Sequence, residues 1–312
     1  MRSTVVTGAS GFLGRHVVSA LLAAGRAVVA LVRDEPTVAL LPEHPALRIV
    51  RAELDTSGSV DAALEGVDVR AVIHLAGGRA PGGLESIDAN VRLSLAPTAA
   101  LIAALSRRAE LEAFVLASSG EVYGAVPAPF RESAEASPRS GYGIAKLLAE
   151  ELSLAAFRAR GFPAVVVRMG VVYGPGQLGS PMFVPALLEA ARQRRPFEMS
   201  QGEQLRDFVY VRDVATTLVQ LSSTPAARGE IVNVGTGEGV QVRELASRLW
   251  ERLGRPMELR IGALPMRPDE ASDYRLDVTK LRALTGSAPS TPLDEGLDLT
   301  ARELEATPTR RS

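Results

Sequence analysis

The first half of the chain alternates short apolar runs with longer amphipathic stretches. The apolar runs are rich in β-branched residues and have the length of buried strands: residues 3–7, 27–32, 47–50, 71–75, 114–117 and 164–168. The stretches between them have helical periodicity: residues 13–24, 60–65, 88–107 and 141–160. Strands that alternate with helices form βαβ units, and strands apolar on both faces belong to a covered parallel sheet. The pattern therefore predicts an α/β chain with a doubly wound parallel sheet.

After Gly174 the elements become shorter and more mixed. A Gly- and Pro-rich segment at 175–180 precedes predicted helices at 183–194, 214–221 and 242–253 and predicted strands near 207–211 and 231–234. We interpret residues 1–173 as one domain and residues 174–312 mainly as a smaller C-terminal, substrate-binding lobe. The stretch 213–236 is expected to return to the sheet and complete it.

Composition narrows the classes of function. The 312 residues include 35 basic and 36 acidic side chains, and aromatic residues make up 4%. This balance offers no charged or stacking surface for nucleic acid or anionic lipid. Cysteine is absent, and the three histidines, His16, His44 and His74, lack metal-ligand spacing. No membrane-spanning run or N-terminal signal is visible, so we expect a cytoplasmic protein with no metal, nucleic-acid or membrane partner.

A glycine-rich loop joins the first predicted strand to the first predicted helix. Gly8, Gly11 and Gly14 form a Gly-x-x-Gly-x-x-Gly motif. Glycines at this junction permit a tight turn and close approach of the backbone to a pyrophosphate, and the helix N-terminus supplies free N–H groups. The spacing alone is weak evidence in a chain with 28 glycines. In its strand–loop–helix context it indicates a Rossmann dinucleotide site.

The end of the second strand bears on the choice of cofactor. An acidic residue there binds the ribose 2′-hydroxyl of NAD, whereas an arginine accommodates the 2′-phosphate of NADP. Val32 occupies the usual place of the acid, Arg33 follows it, and Asp34 lies 20 residues beyond Gly14. We expect NADP from Arg33, with NAD as the alternative if Asp34 contacts the ribose.

Tyr142 and Lys146 lie four residues apart on a predicted helix and so share one face. An ammonium near a phenol lowers its pKa, which would let Tyr142 exchange a proton with a substrate oxygen. The chain has only two lysines, Lys146 and Lys280. A lysine kept where arginine is used almost everywhere suggests a need for a compact charge. Ser118, Ser119 and Glu121 follow the fifth predicted strand, where Ser119 could donate a hydrogen bond to a substrate oxygen.

Together these motifs give the chain the appearance of a known family. It resembles an extended short-chain dehydrogenase/reductase of the nucleotide-sugar epimerase/dehydratase family over nearly its whole length. The motifs that carry the resemblance are residues 7–14, 72–77, Asn90, 118–124, 142–146, 168–175, 205–211, 233–237 and 267–270. The last three are characteristic of the nucleotide-sugar branch.

The resemblance implies roles for individual residues. Ser119, Tyr142 and Lys146 would form the catalytic triad, with Tyr142 as acid/base and Lys146 also at the nicotinamide ribose. Other cofactor contacts would come from Gly8, Gly11, Phe12, Leu13, Gly14, Glu53, Leu54, Leu75, Ala76 and Gly77. The substrate would contact Ser118, Ser119, Arg206 and Arg267, with the two arginines holding its diphosphate.

Three positions depart from the family pattern. Val171 stands where the family often has an asparagine that contacts the sugar nucleotide, and Glu53 stands where an aspartate commonly meets adenine. Gly120 stands where the 4,6-dehydratases carry their catalytic aspartate, and only the following Glu121 remains. This departure disfavours dehydration and leaves Glu121 as a catalytic candidate.

The resemblance therefore implies hydride transfer at a nucleotide-sugar carbon. Reduction of an NDP-4-keto-6-deoxyhexose is favoured because Arg33 suggests exchangeable NADPH. A 4-epimerase that retains NAD is the alternative, and a UDP-glucuronate decarboxylase is also compatible with Glu121. A non-enzymatic cofactor-sensing regulator would be expected to lack the Tyr142–Lys146 pair. The helices at 88–107 and 141–160 are those that pair in the family's dimers, so a homodimer is expected.

Overall fold

Strands and helices alternate through the first half of the protein. The computed structural model describes residues 2–33, 35–108, 110–177, 182–266 and 270–306. The elements of the first half are β1 (Ser3–Thr7), α1 (Phe12–Ala23), β2 (Ala27–Val32), β3 (Leu47–Arg51), α2 (Ser57–Ala63), β4 (Val69–His74), α3 (Ile87–Leu105), β5 (Ala113–Ser119), α4 (Gly141–Arg160) and β6 (Ala164–Met169). All ten predicted elements of this half are present, with ends shifted by up to three residues.

The second half consists of shorter elements. They are β7 (Val171–Tyr173), α5 (Phe183–Arg192), β8 (Phe197–Met199), β9 (Leu205–Arg206), β10 (Phe208–Tyr210), α6 (Val211–Leu221), β11 (Ile231–Val234), β12 (Val240–Gln241), α7 (Val242–Arg252), β13 (Leu259–Ile261), β14 (Asp273–Tyr274), α8 (Thr279–Thr285) and α9 (Leu293–Ala306). The strand predicted at 207–211 is shorter than expected, because Val211 already begins α6. The other strands of two or three residues and the helices α8 and α9 were not predicted.

Seven strands form one parallel sheet in the order β11-β6-β5-β4-β1-β2-β3. From β1 the chain moves outward to β2 and β3, and from β4 it moves outward in the opposite direction. The strand order therefore reverses between β1 and β4. Ligands of open α/β sheets bind beyond the carboxyl ends of the strands at such a point. The predicted doubly wound parallel-sheet Rossmann fold is confirmed.

Side chains alternate between the two faces of the sheet, and each face has its own core. In β6, Val165 and Val167 pack with α1 and α6, whereas Ala164 and Val166 pack with α2, α3 and α4. All four are fully buried. This burial on both sides explains why the strands read as continuous apolar runs. A third core joins α5, α7 and α9 in the C-terminal half.

None of the described helices combines the length and the apolar character needed to cross a bilayer.

Candidate active site

The loop between β1 and α1 brings its backbone close to the end of β4. Gly8 has a positive φ of 65°, and a Cβ atom on it would lie 2.8 Å from the Ala76 nitrogen. A Cβ on Gly14 would lie 2.1 Å from the Gly8 carbonyl oxygen. Gly11 caps α1 without a side chain, so no side-chain cap covers the first N–H groups of that helix. This cradle fits the pyrophosphate of a dinucleotide.

A cavity of about 260 Å³ lies against this loop, at the point where the strand order reverses. The glycine loop forms one wall of the cavity, and the segment after β4, the end of β5 and the start of α4 form the others. Predicted site residues that line it are Gly8, Gly11, Phe12, Leu13, Gly14, Leu75, Gly77, Ser118, Tyr142 and Lys146. The fold thus brings together most of the residues assigned to the cofactor with the predicted acid/base.

Tyr142 and Lys146 reach the cavity because α4 begins at Gly141. The Ser140 hydroxyl caps this helix by accepting from the Gly143 N–H at 3.0 Å. Lys146 is 7% exposed, and its Nζ donates to the Ala117 carbonyl oxygen at 3.0 Å. The same Nζ lies 5.8 Å from the centre of the Tyr142 ring. The ammonium is therefore anchored to the end of β5 and faces the cavity beside the phenol.

The environment of Tyr142 differs from the prediction. Burial raises the pKa of Tyr142 to about 12, the Glu121 carboxylate adds to the rise, and Arg79 and a hydrogen bond with Ser119 oppose it. Burial lowers the pKa of Lys146 to about 8. The expectation that Lys146 lowers the Tyr142 pKa toward neutrality is wrong in this geometry. Burial of the phenol dominates, and the cation that opposes it is Arg79.

Arg79 and Glu121 form an ion pair directly beside Tyr142. The Arg79 Nη1 pairs with Glu121 Oε1, and its Nη2 lies 3.2 Å from Oε2. The guanidinium carbon lies 4.9 Å from the centre of the Tyr142 ring. Ser140 donates its hydroxyl to Glu121 Oε2 at 3.1 Å. Sequence reasoning missed Arg79, because this loop residue shows neither periodicity nor motif spacing.

The two serines at the end of β5 face different partners. Ser118 is buried and donates its hydroxyl to the carboxylate of Glu150, which is itself fully buried. The Ser118 hydroxyl thus has a protein partner, while the residue also lines the cavity. The Ser119 hydroxyl accepts from the Glu121 N–H at 3.2 Å and hydrogen-bonds with the Tyr142 phenol. The Ser119 hydroxyl therefore lies beside the phenol, and its contact with a substrate oxygen stays a prediction.

A second tyrosine, Tyr274 of β14, also reaches Ser119. Its hydroxyl hydrogen-bonds with Ser119, and burial together with the Glu121 charge raises its pKa. A Cβ atom on Gly120 would lie only 2.5 Å from the Tyr274 oxygen. The space that a side chain at position 120 would need is therefore filled by Tyr274. Only the absence of a side chain at Gly120 hinted at such a neighbour in the sequence.

The residues assigned to the adenosine end of the cofactor follow the adjacent strands β2 and β3. Arg33 and Glu53 are both exposed, and Leu54 is partly buried against the core. The N–H of Ala76 donates to the Thr7 hydroxyl at 3.0 Å, which links the ends of β4 and β1. The Asp34 prediction lies outside the described residues.

Arg206, predicted to hold the diphosphate, already has protein partners. Its Nη2 lies 2.6 Å from Glu270 Oε1, and its Nη1 donates to the Ala271 carbonyl oxygen at 2.8 Å. Its neighbour Asp207 instead accepts from Thr236 and Gly237. An anion at Arg206 would have to share the guanidinium with Glu270. The Arg267 prediction lies outside the described residues.

Comparison with known proteins identifies the class. The family model of the NAD dependent epimerase/dehydratase family matches residues 4–235. The chain belongs to this family, and it is an enzyme of the extended short-chain dehydrogenase/reductase type.

Individual relatives include both epimerases and reductases. The uncharacterized UDP-glucose epimerase YtcB of Bacillus subtilis is 32% identical over 311 residues, covering 94% of this chain and 95% of that protein. The dTDP-4-dehydro-6-deoxy-D-allose reductase of Streptomyces bikiniensis is 32% identical over 325 residues, covering 96% and 95%. Among solved structures, MoeE5 in complex with UDP-glucuronic acid and NAD has a TM-score of 0.85 and 33% identity, covering 97% and 99%.

Proposed function

We propose that this enzyme reduces the 4-keto group of an NDP-4-keto-6-deoxyhexose with NADPH. The observation that carries the proposal is the single cavity in which the glycine loop, Tyr142 and Lys146 meet. Relatives across nearly the whole chain support it, because they include a dTDP-4-dehydro-6-deoxy-D-allose reductase and a GDP-6-deoxy-D-mannose reductase. The lobe after Gly174, with Arg206 at its inner side, would hold the sugar nucleotide.

The side chains divide the chemistry between them. When bound on the glycine loop, a nicotinamide dinucleotide would supply the hydride for the carbonyl carbon. Tyr142 gives its phenolic proton to the carbonyl oxygen as the C=O bond becomes a C–O single bond, and solvent then reprotonates the phenolate. Ser119 donates a hydrogen bond to the same oxygen. Lys146 holds a positive charge near the phenolate, and its anchor on Ala117 fixes its position.

Arg33 supports NADP as the cofactor. It follows β2 directly, and β2 is the neighbour of β1, so its exposed side chain lies on the edge where a dinucleotide on the glycine loop would place its ribose. A guanidinium there suits the dianionic 2′-phosphate. Replacement of Arg33 by alanine is expected to weaken NADP binding by about 1.5–3 kcal/mol, and NAD binding much less. Equal losses for both cofactors would favour NAD.

The test is a turnover assay with defined sugar nucleotides. With dTDP-4-keto-6-deoxyglucose, the wild-type enzyme should oxidise one equivalent of NADPH per product formed. Tyr142→Phe removes the proton donor and should lower turnover at least ~10²-fold while cofactor affinity stays close to wild type. Tyr210→Phe, which changes a phenol in the C-terminal core, is the matched control. Wild-type turnover in Tyr142→Phe would remove Tyr142 from the mechanism.

A 4-epimerase is the second candidate, favoured by the likeness to MoeE5, which was solved with UDP-glucuronic acid and NAD. An epimerase must keep the reduced cofactor and the keto-sugar together until the second hydride transfer. Purified protein fully loaded with NAD, which converts UDP-glucuronic acid or UDP-glucose to the C4 epimer without net cofactor use, would decide for this candidate. Substoichiometric cofactor and net NADPH consumption would decide for the reductase.

We also propose that the enzyme acts as a homodimer through α3 and α4. These helices pack side by side on one face of the sheet, and small and apolar side chains are exposed on their outer surface between charged ones such as Arg92 and Glu151. Leu148 is 42% exposed, and Ala99, Ala103 and Ala155 are exposed as well. A stripe of this kind on two long helices is suited to packing against its own copy.

A further inference from the structure

The loop that carries Arg79 is tied to a buried anchor. The N–H of Ala80 donates to the Asn90 side-chain oxygen at 3.0 Å. Asn90 is fully buried on α3, and its side-chain nitrogen donates to the Ser86 carbonyl and hydroxyl oxygens, both at 2.9 Å. The neighbouring residue Arg79 is therefore not a freely placed surface charge. Its position over the Tyr142 ring follows from a fixed backbone.

Glu121 is held just as firmly on the other side of the pair. It lies in the short turn Gly120–Val122 after β5, and its N–H donates to Ser119. Its carboxylate accepts from both Arg79 and the helix cap Ser140. The cation is thus held by the anchor of its loop on α3, and the anion by the turn after β5 and the cap of α4. Both charges affect the same phenol.

Charged and titratable groups approach Tyr142 from every element around it. Lys146 comes from its own helix and Tyr274 from β14, in addition to Arg79 and Glu121. Two further charges affect these neighbours of Tyr142. The Glu150 carboxylate raises the pKa of Lys146, and the Arg206 guanidinium lowers the pKa of Tyr274. The pair formed by Arg79 and Glu121 therefore supplies the two opposite charges that act directly on the phenol from outside α4.

We propose that Arg79 and Glu121 are a positioning pair that sets the proton affinity of Tyr142, with Arg79 stabilising the phenolate and Glu121 stabilising the phenol. This inference rests on the proposed role of Tyr142 as acid/base. An opposite charge within ~4–6 Å of an ionisable group shifts its pKa by about 1–3 units, and partial exposure of the pair reduces the effect. The Arg79 charge would offset part of the rise in pKa that burial causes, so that the buried Tyr142 phenol could still give up its proton.

The proposal predicts opposite shifts for the two partners. Arg79→Met removes the cation and leaves Glu121 uncompensated, so the Tyr142 pKa should rise by ~0.5–1 unit or more. Glu121→Gln removes the anion, so the pKa should fall by a similar amount. The double variant should return toward wild type, and Arg79→Lys should keep most of the wild-type value. If the pair only stabilised the loops, both single variants would be impaired, but the Tyr142 pKa would not shift in opposite directions.

The first test needs no turnover. Protein labelled with ¹³Cζ-tyrosine contains five tyrosine signals, and Tyr142→Phe identifies the one to follow. During an alkaline titration of folded protein, this signal should begin to move at lower pH in Glu121→Gln and at higher pH in Arg79→Met. Arg107→Met is the matched control and should titrate like wild type, because it breaks an ion pair with Asp61 of α2 just beyond the C-terminal end of α3. Coincident titrations in all variants would overturn the proposal.

The second test is kinetic and uses the sugar alcohol formed from dTDP-4-keto-6-deoxyglucose. Oxidation of this product requires the Tyr142 phenolate and the Lys146 ammonium together. Below the Lys146 pKa of about 8, its rate at a fixed pH is proportional to the small fraction of phenolate. At such a pH the oxidation rate should fall in Arg79→Met and rise in Glu121→Gln, up to about tenfold for each unit of change in the Tyr142 pKa. If Tyr142→Phe abolishes turnover but the two variants do not change the rate in opposite directions, the proposed function stands and the tuning role falls.

Discussion

At the scale of single residues, the Tyr274 hydroxyl fills the space beside Ser119 that a side chain at Gly120 would occupy. The glycine has no side chain, and the Tyr274 hydroxyl occupies the place where one would begin. The tyrosine arrives from β14, more than 150 positions later in the chain, and hydrogen-bonds with the serine. Position 120 therefore cannot take a catalytic carboxylate unless Tyr274 moves. The structure gives a steric reason, beside the missing side chain itself, for disfavouring dehydration.

Gly120→Ala tests this steric exclusion. The added methyl group must displace Tyr274, and overpacking of this kind costs about 1–3 kcal/mol of the free energy of unfolding. In a Tyr274→Ala background the same change should cost much less, because the clashing atoms are gone. Gly58→Ala, where the nearest atom is 3.9 Å away, is the matched control and should be tolerated. Urea unfolding of the five proteins measures the coupling, and equal costs in both backgrounds would contradict it.

Residues in local motifs could be predicted from sequence, and residues brought in by tertiary contacts could not. Tyr142 and Lys146 are four positions apart on one helix, so their shared face follows from helix geometry alone. Arg79 and Tyr274 come from a loop and a two-residue strand that no periodicity marks. The environment of Tyr142 was mispredicted for the same reason, since burial and the charge of Arg79 depend on packing.

At the scale of elements, α4 is joined to the sheet by a buried ion pair. Arg168 of β6 donates to the Glu150 carboxylate with its Nη2 at 2.7 Å and its Nε at 3.1 Å. The two side chains are 3% and 0% exposed. The Arg168 guanidinium also lies 4.5 Å above the Tyr123 ring. This pair fixes the middle of α4 one turn beyond Lys146, so it supports the placement of the ammonium in the cavity.

Arg168→Met should destabilise the fold strongly. It leaves the Glu150 carboxylate buried without its cation, which typically costs about 3–5 kcal/mol. The double variant Arg168→Met/Glu150→Leu should recover part of this loss, because it removes the unpaired charge. Arg92→Met, which breaks an exposed pair with Asp88 on α3, should change stability little. Chemical denaturation provides the comparison, and a loss in Arg168→Met no larger than in Arg92→Met would contradict the argument.

The elements that could be predicted are the long ones. Strands such as β6 are apolar on both faces, and α4 has a capping serine before it and Gly161 after it with φ 66°. The strands β8, β9 and β12 to β14 have two or three residues each, too few to show a period. Their pairings, such as β12 with β9, depend on contacts between distant segments.

At the scale of the whole molecule, the outer surface of α3 and α4 leads to a test of assembly. The wild-type protein should elute with the mass of a dimer in size-exclusion chromatography with light scattering. Leu148→Glu places a charge in the apolar stripe and should shift the protein to monomer at micromolar concentration. Ser19→Glu, on the exposed side of α1 across the sheet, should leave the mass unchanged. A wild-type monomer at all concentrations would rule out the dimer.

The position of β11 at the sheet edge has a consequence for synthesis on the ribosome. β11 pairs with β6, yet about 65 residues separate Met169 from Val234. At a translation rate of ~5–20 residues per second, the edge of β6 therefore waits roughly 3–13 s for its partner strand. During that time a nascent chain carries an open apolar strand able to pair with other chains. Ribosome-associated chaperones that shield emerging strands should therefore affect the yield of folded enzyme more than the free energy of unfolding of the finished fold.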